Sequence, residues 1–399
     1  MNILLVIADL GLGGAQQVVI NLANEFTRQK HKVWIFDVFP DLREKGMTDR
    51  IDKEVKLISK NYKDLKLSKK DKLVDFLHNK FSVKKNIKKL MFKYHEKNLY
   101  SILSKTEIDF VNSHVCWADY FVNNNLKNLH NKWIISLHSS YFEWSNKFLI
   151  NKKAKKKIIN DIFCNAKGVT YLINSEVKFI ESNLKKQPNF KLKKILNGVP
   201  KLLIKRKYKK EDFGFHKTDF VLVCASRAIE EKGWKELAIA VNQLILIEKK
   251  IKLLFVGDGP FLSKMKDNYE SKSIKFLGFK NDVLEIIAIS DLVVLPSYYF
   301  EALPITLIEA VFLEKYILAT NVGETIKIVQ NQKGNCGTLL SAFKEIDLIN
   351  ALIKEINFIS KPLELKRLFN KESFQEAKKI FRIETMAYNY ISFFQQITK

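Results

Sequence analysis

The chain has 399 residues, 47% of them hydrophobic, which allows two or three folded domains and excludes a disordered protein. Its formal net charge of +25 favours polyanions: nucleic acid, an anionic membrane face or phosphorylated substrates. Four scattered cysteines without Cys-x-x-Cys spacing fit reduced thiols in a cytoplasmic protein, and no apolar run approaches the ~18 residues of a membrane span.

Ile3 to Ala8 reads as a first strand and not as a signal peptide, because it lacks a basic flank and runs into a glycine turn, Gly11-Leu-Gly-Gly14. An amphipathic helix follows over Ala15 to Phe26, and N–H groups at such a helix start can hold an anion. Val33 to Val38 is a second strand ending near Asp37, which raises a dinucleotide site as a rival reading. Gln16 stands where the third glycine of that fingerprint belongs, so the signal is weak. Phe81 to Leu103 has helical period, with Val83, Ile87, Leu90, Met91, Tyr94 and Ile102 near one face and lysines around the rest. It reads either as a domain helix with a solvated basic face or as a membrane-surface element, and the basic runs Lys147–Lys157 and Lys205–Lys210 add to the second reading.

Ile108 to Ser113 reads as a strand ending at His114, and Trp133 to Leu137 as one ending at His138. A lone histidine is more often structural than catalytic, but strand ends are where open α/β sheets bind ligands. Val169 to Ile173 precedes a helix capped by Asn174 or Ser175. Pro200 to Glu211, rich in charge and without periodicity, is the best linker candidate.

Beyond it, Phe220 to Ala225 is a buried strand, followed by Ser226-Arg227, by Glu231-Lys-Gly-Trp234 and by a helix over Lys235 to Leu246. Lys252 to Val256 leads into Gly257-Asp-Gly-Pro260, and Ile274 to Phe279 is a strand and turn. Leu292 to Leu295 is the next strand; Pro296 and Ser297 break it, Glu301 falls on the loop, and Pro304 opens a helix that carries Glu309. Tyr316 to Ala319 and the turn Asn321-Val-Gly-Glu-Thr325 follow. Phe374 to Phe394 holds one or two helices, with Ile383, Met386, Tyr390 and Phe393 at helical spacing.

The order and spacing of these motifs resemble retaining glycosyltransferase family four, glycosyl transferases group 1 of the GT-B fold. The Glu-x7-Glu element is kept by Glu301 and Glu309, together with Pro296, Ser297, Pro304 and Ala310; Ala302 replaces a glycine. Gly-Gly-Ala-Gln16 resembles the family's Gly-Gly-Ala-Glu turn, Ile-Leu-Asn-Gly-Val199 its Ile-x-Asn-Gly-Val, and Arg227 to Gly233 its Gly-Arg-x4-Lys-Gly segment. Glu324 stands in place of a glycine and Lys327 in place of a glutamate.

The resemblance implies an α/β architecture of two Rossmann-like domains around an interdomain cleft. Residues 1–200 would be the acceptor domain, 211–382 the nucleotide-sugar donor domain, and a last helix over 383–399 would cross back onto the first. It implies catalytic roles for Glu301, beside the donor sugar, and for His138. Donor contacts would come from Arg227 and Lys232 on the diphosphate, Glu309 on the ribose hydroxyls, Phe279 at the nucleobase, Leu303, and Gly14. The expected reaction transfers a sugar from a nucleoside-diphosphate sugar, UDP by family habit, to a glycan or lipid-linked glycan of a bacterial surface polysaccharide or lipopolysaccharide. With no Asp-x-Asp triplet, Arg227 and Lys232 would do a metal's work, so neither metal nor other cofactor is expected. The location would be cytoplasmic, peripheral on an anionic membrane surface.

Two rivals stay open. A nucleotide-sugar epimerase of the same fold would not show UDP release that depends on an acceptor. A basic nucleic-acid-binding protein would show a reader motif and aromatics among its basic runs; Tyr208 is one hint and no reader motif is seen, so nucleic acid is not an expected partner.

Overall fold

The computed structural model describes residues 1–59, 99, 103, 105–138, 141, 152–183, 190–298, 301–341 and 345–398. The helix expected over 81–103 lies outside the described residues except for Leu99 and Leu103, as do residues 147–151 of the second basic run. The chain divides into two units, Met1–Ile195 with Met386–Lys399, and Leu196–Thr385.

The first unit is built on a parallel sheet of β1 (Asn2–Ile7), β2 (Lys32–Asp37), β3 (Lys56–Leu57), β4 (Phe110–His114), β5 (Trp133–Ser136), β6 (Gly168–Tyr171) and β7 (Lys191–Lys194), in the order β3-β2-β1-β4-β5-β6-β7. Its central strands are continuous apolar runs because both faces are covered: Ile3, Leu4, Leu5, Val6 and Ile7 are all fully buried. In register, Ile7 lies between Asp37 of β2 and His114 of β4. The order reverses beside β1, so the edge after Ile7 and His114 is the topological switch point where such sheets bind ligands.

The final helix, Ile383–Thr398, belongs to this unit from Met386 onward. Tyr390 Oη lies 2.9 Å from Ser136 Oγ and 3.2 Å from Thr170 Oγ1, and Phe394 stacks on Phe110 with centroids 4.5 Å apart. Phe393 reaches Gly168, where a β-carbon would meet its ring at 2.7 Å. The apolar spacing of the last helix therefore serves the core of the first sheet.

The second unit repeats the plan with β8 (Phe220–Ala225), β9 (Ile251–Val256), β10 (Ile274–Phe276), β11 (Leu292–Leu295) and β12 (Tyr316–Thr320). After a short antiparallel hairpin of β13 (Gln330–Asn331) and β14 (Gly334–Asn335) comes β15 (Gly337–Leu340). The parallel order is β10-β9-β8-β11-β12-β15, with its switch point between β8 and β11. Stacked rings of Trp234, Phe255 and Phe276, with successive centroids 4.6 and 4.8 Å apart, anchor the helix Trp234–Ile247 to the sheet.

The segment proposed as a linker lies within this second unit. The backbone N–H groups of Lys205 and Lys207 donate to the Glu285 carboxylate at 2.6 and 3.1 Å, and Tyr208 Oη donates to Asp282 at 3.0 Å. The third basic run is partly paired, with Lys205, Arg206 and Lys209 exposed. Lys207 pairs with Asp282, and Lys210 with Asp291 at 2.6 Å, so acids distant in sequence neutralise two of its cations.

Candidate functional site

In the second unit, the loops after β8, β11 and β12 interlock at the switch-point edge. Gly233 has φ +69, and a β-carbon there would stand 2.1 Å from the Pro296 carbonyl oxygen. Tyr298 N–H and Ser297 Oγ both donate to Glu231 O, at 3.1 and 3.2 Å. Gly323, at φ +56, lets the turn after β12 press on the other side: a β-carbon would sit 1.6 Å from Glu301 O, which instead accepts from Glu324 N–H at 3.1 Å. Glycine is required at both positions by positive φ and by backbone approach together.

This scaffold fixes the charged groups. Lys232, in the short helix Glu230–Lys232, donates its ammonium to Glu301 Oε1, and the two side chains are only 13% and 9% exposed. Lysine has three donor protons, so one bond to Glu301 leaves two for a ligand. Glu309 is half-buried, one turn into the helix Ile305–Phe312. The first turn of that helix is tied to β8 by Thr306 Oγ1, which donates to Ala225 O at 3.1 Å. Arg227, two residues beyond Ala225, is exposed at the same edge. Leu303 is buried and its carbonyl accepts from Asn197 Nδ2 at 3.3 Å. Phe279 is exposed beside the β9–β10 edge, where Gly257 N–H donates to Gly278 O at 2.9 Å. Cys224 lies beneath the ion pair; burial pushes its thiol up to about 12, so it is no nucleophile.

The remaining predicted residues, Gly14 and His138, belong to the first unit. Gly14 is exposed at the start of the helix Gly14–Arg28. The turn before it is shaped by Asp9, whose Oδ1 accepts from Gly11 N–H at 2.9 Å and from Gln16 Nε2 at 3.0 Å. That contact accounts for the amide at position 16, since a glutamate would bring a second negative charge to Asp9. At the ends of β4 and β5, His114 Nδ1 and His138 Nε2 are 2.8 Å apart. Burial holds His114 well below the usual imidazole range, with His138 adding to the effect. His138 keeps some accessible surface, yet desolvation by its surroundings takes it down to about 4. Both rings are therefore neutral at pH 7.

Asp37 is wholly buried and bound by Arg43 through Nε at 2.8 Å and Nη2 at 2.7 Å. The acid that a dinucleotide site would need is thus occupied by an internal cation.

Sequence reasoning missed Asp9 and Thr306 as parts of the scaffold; it named the turn at 321–325 but not its contact with Glu301. Asp9 follows β1 at the switch point, so the strand-end rule could have found it. The clamp on Glu301 is made by a backbone N–H, which side-chain identity does not encode.

Residues 205–369 match the family of glycosyl transferases group 1. A stretch of 167 residues, 38% of the chain, is 29% identical to the Escherichia coli UDP-Gal:alpha-D-GlcNAc-diphosphoundecaprenol alpha-1,3-galactosyltransferase, covering 42% of that protein. Another of 194 residues, 48% of the chain, is 25% identical to the Bacillus anthracis N-acetyl-alpha-D-glucosaminyl L-malate synthase, covering 49% of it. The matched regions thus span less than half of each of these curated relatives. Anabaena HepE, solved in complex with UDP, shares the fold over 99% of this chain and 100% of its own, with a TM-score of 0.70 at 15% identity. The second unit therefore carries the sequence pattern of glycosyl transferases group 1, and the chain has the two-domain Rossmann-like α/β architecture of GT-B glycosyltransferases.

Proposed function

We propose that this protein transfers a sugar from a nucleoside-diphosphate sugar, most naturally a UDP-sugar, to a glycan or lipid-linked glycan acceptor. The observation that carries this reading is the Lys232–Glu301 pair at the β8/β11 switch point, with Arg227 and Glu309 on the same edge. When the bond between sugar and phosphate breaks, the nucleoside diphosphate leaves with added negative charge. Lys232, held by Glu301, and the planar fork of Arg227 are suited to receive it. Glu309 has two oxygens with which to accept from both hydroxyls of a ribose. Glu301, already bonded to Lys232, would steady the cation and the sugar and would not act as a nucleophile. The departing phosphate would draw the acceptor's proton on the same face, giving retention without a metal.

The E. coli relative is named for a UDP-Gal donor and a diphosphoundecaprenol-linked acceptor, and HepE was solved with UDP. The first supports a UDP-sugar and a lipid-carried acceptor, and the second a UDP-bearing donor. With a net charge of +25, the chain is suited to meet such an acceptor at an anionic membrane surface. No helix among the described residues is long and apolar enough to cross a membrane.

The test is UDP release from a panel of UDP-sugars in excess chelator, with and without lipid-linked glycan acceptors. Release that depends on acceptor supports the transferase. Conversion of the UDP-sugar to its epimer without acceptor favours an epimerase, and activity restored only by a divalent ion removes the metal-free mechanism.

A further inference from the structure

His114 and His138 end neighbouring strands at the switch-point edge of the first sheet, and their rings face each other edge to edge through Nδ1 of His114 and Nε2 of His138, 2.8 Å apart. Two neutral imidazoles can share one hydrogen bond in only two ways. In the first, His138 Nε2–H donates to His114, whose own proton must then sit on Nε2. That nitrogen is buried and has no hydrogen-bond partner among the described residues, so the arrangement strands an N–H in the protein interior. In the second, His114 Nδ1–H donates to His138, and the buried Nε2 is a bare lone pair. Orphaned buried N–H groups are the rarer defect in native structures, and the second arrangement avoids one.

We infer that His114 is a positioning residue that fixes His138 in the Nδ1–H tautomer, making His138 a hydrogen-bond donor through the nitrogen turned away from His114. His138 then offers an N–H to an oxygen and cannot take a proton there. Resting on the glycosyltransferase reading, that oxygen belongs to a substrate, and the acceptor's proton must leave by another route. This is consistent with proton transfer to the departing phosphate. His114 touches no substrate in this account.

The chain holds only seven histidines, so long-range proton–nitrogen correlation of the full-length protein labelled at the imidazole nitrogens can resolve them. His114→Leu and His138→Gln variants assign the two residues. At pH 7 both rings should show the pattern of a protonated Nδ1 and an unprotonated Nε2. Proton-bearing Nε2 on His138 would overturn the inference, whatever the enzyme's substrate. In His114→Leu, His138 should revert towards the Nε2–H form preferred by free histidine. An unchanged His138 tautomer in that variant would show that His114 does not control it. His114→Asn, which can supply an amide N–H at the same place, should keep the wild-type His138 pattern. UDP-glucose binding, followed separately by thermal shift, bears on the glycosyltransferase reading and leaves the tautomer result untouched.

Discussion

Lys232 and Glu301, 69 residues apart in sequence, form a nearly buried ion pair across the loops that follow β8 and β11. Breaking a buried pair by removing one partner leaves the other charge uncompensated, at about 3 kcal/mol or more. Lys232→Ala and Glu301→Ala should each lower stability by roughly that amount and lower turnover by ~100-fold or more. The double variant should regain much of the stability and none of the activity. Chemical denaturation alongside UDP release measures both, and fully additive stability losses would mean that the pair is not coupled.

A second buried charge lies away from the proposed chemistry. Asp119 is fully buried and accepts from Ser113 Oγ at 2.6 Å. Burial raises its pKa from 3.8 to about 7. Between those values the unfolded chain releases a proton that the folded chain keeps. The stabilising contribution is therefore fully present below the lower value, falls as pH rises to about 7, and is level beyond it. Asp119→Asn should flatten this slope and exceed the wild type in stability at pH 8, by up to about 4 kcal/mol. Denaturant titrations at pH 5 and pH 8 supply the comparison; equal slopes for the two proteins would contradict it.

Glu324 and Lys327, two departures from the resembled pattern noted in the sequence, meet: Lys327 Nζ lies 3.1 Å from Glu324 Oε2, on a carboxylate that is 9% exposed. The two departures compensate each other as a charge pair. Lys327→Glu alone should cost about 1–3 kcal/mol by placing two acids together. Adding Glu324→Gly should recover most of that loss. A double variant no more stable than Lys327→Glu would show that the pairing carries no weight.

Lys207 and Lys210 are neutralised by Asp282 and Asp291 in the folded protein. Any attraction to anionic vesicles should therefore come from other lysines. Flotation with phosphatidylserine liposomes should be unchanged, within about twofold, in Lys207→Ala and Lys210→Ala, because paired surface charges add little to a field already screened within ~10 Å. A strong loss of flotation would restore the 205–210 run to the membrane account.

Much of the second unit was legible in the sequence because each motif there sits at a strand end. Apolar runs such as Leu292–Leu295 announce buried parallel strands, and Pro296 and Pro304 mark where the strand stops and the helix begins. The ion pair was not legible: Lys232 and Glu301 were each assigned to a ligand, and nothing in their spacing says that they hold one another. The same holds for His114, read as the weaker of the two histidines and found bonded to the stronger. Nor was the pairing of Lys207 and Lys210 legible, since the acids that meet them lie in another part of the chain. Pairings across loops depend on the strand order, which places residues distant in sequence side by side.

The most direct test of the proposed site is the affinity for UDP, titrated calorimetrically in excess chelator on wild type, Lys232→Ala and Glu309→Gln. The account predicts binding by the wild type without metal, and a loss of about tenfold or more in each variant, the size of one charge-assisted hydrogen bond. Circular dichroism at the titration temperature establishes that the variants remain folded. Wild-type affinity for UDP in both folded variants would contradict the assignment of this edge as the nucleotide site.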